Sequence, residues 1–289
     1  MSIKIRTVFA NGLDLPALGQ GGWNIGDCSK TAEEEATALR RGIELGANLI
    51  DTAEMYGDGD SERLIGDAVK GIPRSEYILV SKVLPQNAGR KEIFKSCDMS
   101  LKRLQADFLD LYLLHWRGSI PLEETVQCME ELVRAGKIRR WGVSNFDTSD
   151  MENLWNVPHG KNCAANQVLY NLGSRGIEYD LIPWMRSHGM AVMAYCPLAQ
   201  AGMLKRMNHD FVQDETLVAV SKRHGISVMQ LMLAFVLRQD NIVAIPKSGS
   251  VRHTEQNAAV LQICISDEEW AEIDKVFWPP TEKMHLDIE

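Results

Sequence analysis

The sequence predicts an α/β fold: a closed (β/α)8 TIM barrel, opened by a β-hairpin and followed by an extra helix and a tail. Three observations predict it. Short apolar runs alternate with amphipathic segments from about residue 17 to residue 260, the runs can be counted to eight, and no composition break divides the 289 residues. Alternation of this kind implies parallel strands joined by helical crossovers. Eight units favour closure over an open sheet, and about 250 residues is the usual size of such a barrel. The whole chain, 1–289, reads as one domain.

The opening VFANGLDLP, with Asn11-Gly12 at its turn, predicts the hairpin. Strands are predicted at Ala17 to Gln20, Leu49-Ile50, Tyr77 to Val80, Leu109 to Leu114, Trp141 to Val143, Gln167 to Tyr170, Ala191 to Tyr195 and Ile242 to Ile245. These runs lack polar alternation, as expected of strands covered on both faces. Between them lie helices with recognisable ends. Thr31 to Glu34 has capping-box spacing, Leu39 and Ile43 share a face, and Gly46 is the stop. Ile93, Cys97, Leu101 and Leu104 form a second stripe. Leu122, Val126, Met129 and Val133 form another, ending at Gly136. Ser266 to Val276 reads as the extra helix, with Ser266 as N-cap and Glu269 at N3, before the polar tail WPPTEKMHLDIE.

Composition excludes several classes. The net charge of −8 offers no global positive field for nucleic acid or an anionic membrane. No apolar run approaches the roughly 20 residues of a membrane span, and the first residues show no export signal. The six cysteines are scattered without a CxxC pair, so reduced thiols in a cytoplasmic protein are expected. A barrel buries its core without a partner, so a monomer is expected.

Barrel enzymes carry their chemistry at the C-terminal ends of the strands. Polar residues recur there: Asp51, Lys82, His115, Ser144-Asn145 and Lys247-Ser248, with Tyr195 ending the seventh strand. Tyrosine is a poor acid near neutral pH, and an ammonium such as Lys82 can lower its pKa. Asp51 can hold that lysine, and His115 can orient a substrate oxygen. With Tyr56, this set could protonate a carbonyl oxygen while hydride reaches its carbon. Alone, each member has a plainer reading: Asp51 with Lys82 as a buried ion pair, Tyr56 as a loop aromatic, His115 as a core histidine, Ser144-Asn145 as a helix cap. Their arrival at one barrel face favours catalysis. The run Asp58 to Arg63 reads as an exposed loop and helix start without a metal role.

LIDTAEMYGDG, VSKV, DLYLLHW, GKIRRWGVSNF, NQVLYN, AYCPLAQAG and IPKSGS, in this order, resemble the successive motifs of the aldo-keto reductase superfamily over nearly the whole chain. The resemblance implies a catalytic tetrad of Asp51, Tyr56, Lys82 and His115, and NADPH as cofactor. It implies that Tyr195 stacks on the nicotinamide while Ser144, Asn145 and Gln167 bind its carboxamide. Gly21, Gly22 and Trp23 would border the ribose and substrate, with Asp51 also close to the cofactor. Cys196, Pro197, Leu198 and Gln200 would follow the dinucleotide. Lys247, Ser248 and Gly249 would meet its phosphates, and Gln256 and Asn257 its adenine. The extra 2′-phosphate of NADPH would fall to Lys247 with Arg252 or His253; the family often has an arginine one position after Arg252, where His253 stands here, so Arg252 is preferred. No GxGxxG links a strand to a helix, so a Rossmann site is excluded.

The pattern is most similar to bacterial methylglyoxal-reductase-like members, which implies small aldehydes and α-dicarbonyls as substrates, met by Trp23, Tyr56, His115 and Trp116. An alternative is a redox-sensing module that binds NADPH with little turnover. A metal-dependent barrel hydrolase would need several ligands at strand ends, and of seven histidines only His115 sits there.

Overall fold

A computed structural model describes residues 7–28, 31–199 and 210–288. Strands β1 (Thr7–Ala10) and β2 (Leu13–Pro16) form the predicted hairpin, with Ala10 paired to Leu13. Asn11 and Gly12 turn it with φ of 44° and 84°, the left-handed values that a two-residue turn demands. Eight parallel strands follow: β3 (Gly19–Gly21), β4 (Leu49–Asp51), β5 (Ile78–Val83), β6 (Leu109–Leu114), β7 (Ile138–Ser144), β8 (Ala165–Leu169), β9 (Ala191–Tyr195) and β10 (Ile242–Ala244). They are hydrogen-bonded in chain order. Parallel bridges Leu18 to Ala244 and Gly21 to Lys247 join the two ends of the sheet. Gly21 N donates to Pro246 O at 3.0 Å across that seam, and the barrel is closed.

Side chains on a strand alternate between faces, and here both faces are apolar. One alternate set (Leu49, Val80, Leu111, Leu113, Ala165, Met193, Val243) fills the barrel interior, where Val8, Ala10 and Leu15 of the hairpin plug the N-terminal end. The other set (Ile50, Leu79, Tyr112, Leu114, Val143, Val192) faces the helices. These are α1 (Ala32–Glu44), α2 (Asp60–Ala68), α3 (Ile93–Leu104), α4 (Leu122–Arg134), α5 (Thr148–Trp155), α6 (Leu181–Ser187), α7 (Glu215–His224), α8 (Val228–Leu237) and α9 (Val251–Ala259). The extra helix is α10 (Asp267–Asp274), and Ser266 and Glu269 close its capping box as predicted. Gly46 and Gly136, both at positive φ, end α1 and α4.

Two local expectations fail. Thr31 sits at the N-cap of α1 without a capping bond. Its hydroxyl turns back to Cys28 O at 3.1 Å, so the spacing was right and the rotamer was not. The stretch Asp58 to Arg63 is not an exposed loop throughout, because Ser61 and Glu62 are fully buried in the first turn of α2.

Candidate active site

Alternation explains how the rim residues meet. The parity that sends Leu49, Val80, Leu113, Ala165 and Met193 inward carries Asp51, Lys82, His115, Gln167 and Tyr195 to the same side, one step further along each strand. Tyr56 arrives from the loop after β4, on a short turn where Gly57, Asp58 and Gly59 hold φ of 56°, 51° and 89°.

Lys82 lies at the centre, with no solvent exposure. Its Nζ donates to Asp51 Oδ2 at 2.7 Å, to Thr52 O at 2.8 Å and to Tyr56 Oη at 3.0 Å. Asp51 Oδ1 accepts from Gln167 Nε2 at 2.7 Å. Each member of the buried pair is therefore hydrogen-bonded, the condition for keeping charge inside a protein. Burial lifts the Asp51 carboxyl above its ordinary range, and Lys82 and Gln167 pull it back. Burial also works against the Lys82 ammonium, but Asp51 and Tyr56 outweigh it and the ammonium holds its proton more firmly than usual.

Tyr56 departs from the expectation of a lowered pKa. Its burial pushes the phenol up by more than Lys82 pulls it down, so the group stands protonated. His115 is buried beside it, with ring centroids 5.7 Å apart. Burial, aided by the Lys82 charge, lowers the imidazole pKa to about 3, so the ring is neutral. Its Nδ1 is buried without a partner among the described residues. Trp23, exposed, stands edge-on to Tyr56 at 4.8 Å, and Trp116 packs on His115 at 4.8 Å. Trp23 and His115 thus flank the Tyr56 ring, and Trp116 extends the aromatic cluster through His115.

Along the rim, Tyr195 is half-buried and its hydroxyl donates to Asn145 Oδ1 at 3.0 Å. Asn145, at φ 59°, also donates to His115 O at 3.3 Å. The Ser144 hydroxyl donates to Gln167 O at 2.8 Å. Three of the predicted amide-binding residues thus form one bonded arc with the aromatic ring. Cys196, at φ 48°, and Leu198 are half-buried and Pro197 is buried directly after β9, while Gln200 lies outside the described residues.

At the seam, Lys247 is exposed, with Nζ 3.9 Å from Glu35 Oε1. Ser248 and Gly249 are half-buried before the N-terminus of α9, and Arg252 and His253 are exposed in its first turn. Gln256 and Asn257 follow, half-buried, on the same helix. Cations beside a helix N-terminus suit phosphate.

Gly21 and Gly22, expected beside the cofactor, have a packing role as well. A Cβ on Gly21 would stand 2.7 Å from Ile245 O, and one on Gly22 would stand 2.6 Å from Asp51 O. Missed altogether were Thr52, whose carbonyl accepts a hydrogen bond from Lys82 Nζ, and Ser61, which donates to Gly22 O at 2.9 Å. Neither has a local sequence signal, since both depend on which strand ends meet.

Comparison with known proteins agrees with this architecture. The chain is 50% identical over 280 residues to the methylglyoxal reductase YeaE of Escherichia coli, covering 97% of each. It is 31% identical over 275 residues to a glyoxal reductase of Bacillus subtilis, covering 94% of this chain and 93% of that one. A crystal structure of an aldo-keto reductase from Klebsiella pneumoniae in complex with NADPH superposes with a TM-score of 0.95 at 50% identity, over 99% of this chain and 100% of that one. The sequence model of the Aldo/keto reductase family matches residues 17–277, which takes in every barrel strand and every rim residue described above. The chain belongs to the aldo/keto reductase family.

Proposed function

We propose that the protein reduces small aldehydes and α-dicarbonyls, methylglyoxal among them, to alcohols with NADPH, and that Tyr56 gives the proton to the carbonyl oxygen. The observation that carries this reading is Lys82 Nζ, held between Asp51 Oδ2 at 2.7 Å and Tyr56 Oη at 3.0 Å on the barrel rim. The relatedness to a methylglyoxal reductase and to an NADPH-bound structure supports the substrate class and the cofactor.

NADPH, when bound, supplies hydride to the carbonyl carbon. The residues around it fit a dinucleotide: Tyr195 offers a ring to stack on, Asn145 and Gln167 offer amides, and Lys247, Ser248 and Arg252 offer phosphate partners. Tyr56 meets the substrate with its proton in place, because burial keeps the phenol neutral. As the proton leaves, the phenolate oxygen already accepts from the Lys82 ammonium, so negative charge develops where a donor is aimed at it. Asp51 anchors that ammonium. His115, being neutral, can hydrogen-bond the same substrate oxygen without adding a second positive charge beside Lys82. Trp23, exposed, and Trp116, half-buried, offer flat apolar surface beside Tyr56 and His115, which suits a small carbonyl.

The test is NADPH oxidation against methylglyoxal, short aliphatic aldehydes, aromatic aldehydes and a bulky ketone, repeated with NADH. Tyr56→Phe should cost about 10²- to 10⁴-fold in kcat, the usual worth of a positioned acid, with NADPH binding retained. Full turnover by that variant would remove Tyr56 from the role. Good turnover of the bulky ketone, with none of any small aldehyde, would overturn the substrate class.

A further inference from the structure

Glu62 carries a carboxylate with no solvent exposure. One oxygen accepts from Ser81 Oγ at 2.6 Å and the other from Arg103 Nε at 2.5 Å. Arg103 is itself mostly buried, and its second nitrogen lies 3.4 Å from Ser100 Oγ. A buried ion pair is a poor source of stability, since desolvation cancels much of the attraction. Its position in the fold suggests another use.

Glu62 is the third residue of α2, and α2 begins where the Tyr56 turn ends. That turn holds three successive left-handed residues, one of them Asp58 and so unfavourable for a side-chain-bearing residue. Its backbone bonds are local turn bonds, Tyr56 N to Ala53 O at 3.1 Å and Asp58 N to Met55 O at 3.2 Å. Ser81 immediately precedes Lys82 on β5, and alternation turns Ser81 out toward α2 while Lys82 points in toward Tyr56. The Glu62–Ser81 bond therefore ties the helix that follows Tyr56 to the strand that carries its lysine.

Arg103 supports the same turn from below. A Cβ on Gly59 would lie 2.5 Å from Arg103 Nε, so the guanidinium lies against the turn backbone. Gly66 lets α2 approach the α3 backbone, where a Cβ would stand 2.7 Å from Arg103 O.

We propose that Glu62, with Arg103 and Ser81, is the positioning set for Tyr56: its buried carboxylate fixes the left-handed turn to β5 and so keeps Tyr56 Oη in hydrogen-bond reach of Lys82 Nζ. None of the three touches the reacting atoms. The proposal rests on Tyr56 being the proton donor.

The test compares Glu62→Gln, Ser81→Ala, Arg103→Lys and Arg103→Ala with wild type. It measures kcat and KM for methylglyoxal, the pH profile of kcat, NADPH affinity by fluorescence quenching, and the thermal midpoint. Glu62→Gln should lower kcat about 10- to 100-fold, as small displacements of a reacting group do, with KM and NADPH affinity little changed. The basic limb of its kcat profile should move to higher pH, because Tyr56 loses the help of Lys82. Ser81→Ala should show the same changes in smaller degree, and Arg103→Lys should keep more kcat than Arg103→Ala. A Glu62→Gln protein with a lower thermal midpoint but wild-type kcat and pH profile would overturn the proposal. If Glu62→Gln does not fold, Ser81→Ala decides on the same two readouts, since it leaves the Glu62–Arg103 pair intact.

Adding Glu62→Gln to Tyr56→Phe should bring no further loss of kcat, because residues acting as a unit are not additive. A full further loss would place the action of Glu62 elsewhere and refute positioning. Full turnover by Tyr56→Phe alone would sink the proton-donor reading itself, and this proposal with it.

Discussion

His115 places a neutral imidazole among groups that tolerate no second cation, and this has a cost in acid. Its pKa falls from 6.5 to about 3 on folding because burial disfavours the charged ring. An unfolded chain therefore takes up a proton near pH 6.5, while the folded one does not until about pH 3. Within that window the unfolded state binds more protons, so stability is lost as pH falls and the loss is complete near the lower value. At 1.36 kcal/mol per unit, the contribution is on the order of 5 kcal/mol. His115→Phe should flatten the dependence: urea unfolding at pH 7 and pH 4 should show a smaller drop than in wild type. Equal drops in the two proteins would mean that His115 does not titrate this way. Tyr56 is the complementary case, a group whose burial preserves its proton, the one it would give under the proposed function. Asp51, Lys82 and His115 were legible because each ends a strand or follows one directly, and Tyr56, in the loop beyond β4, was legible through the motif LIDTAEMYGDG. The sequence did not reveal the direction of the Tyr56 shift, which depends on how deep the ring lies.

Among elements, the strands were the most legible, since an apolar run covered on both faces leaves a continuous mark. Where a strand carries charge the mark fades. The start of β7 was missed because Arg139 and Arg140 occupy it; the first pairs with Asp110 at 3.0 Å and the second donates to Asn11 O at 2.9 Å. The Glu62–Arg103 pair was illegible for a related reason. Forty-one residues separate the partners, and only the packing of α2 on α3 brings them together. Glycines at the end of β3 show how tightly these elements meet. Gly22→Ala would force its Cβ against Asp51 O and Ser61 Oγ, at 2.6 and 2.9 Å. It should lower stability by about 1–3 kcal/mol, the usual cost of overpacking, and depress kcat through Asp51. An unchanged urea midpoint would show that the strand end can yield.

Across the whole molecule, the last residues fasten loops that the strand count alone would leave separate. Lys283 Nζ donates to Asp147 Oδ1 at 2.5 Å and to Asp180 Oδ1 at 3.0 Å, joining the N-caps of α5 and α6. Ser174 donates to Asp287, and Arg175 donates to Phe277 O and to Asp274 Oδ1 at 2.7 Å. The polar composition of WPPTEKMHLDIE announced a tail but not its docking, because its partners lie more than a hundred residues upstream. Lys283 is partly exposed, and exposed pairs are individually weak. Lys283→Ala should therefore lower the thermal midpoint by only about 2–4 °C, with most of that difference gone in 1 M salt. A loss that persists in high salt would mean packing, not charge, holds the tail.

The seam between β3 and β10 bears on how the protein is made. A growing chain carries Asp51, Tyr56, Lys82 and His115 once residue 115 has emerged. It cannot close the ring around them until Ala244 and Lys247 meet Leu18 and Gly21. Until then both ends of the sheet are open edges, the kind of surface that pairs with other chains. The contact that completes the barrel spans more than two hundred residues, so it belongs among the slow, late events of folding. Synthesis of this protein thus passes through an interval in which the four rim residues are present and the ring that gathers them is not.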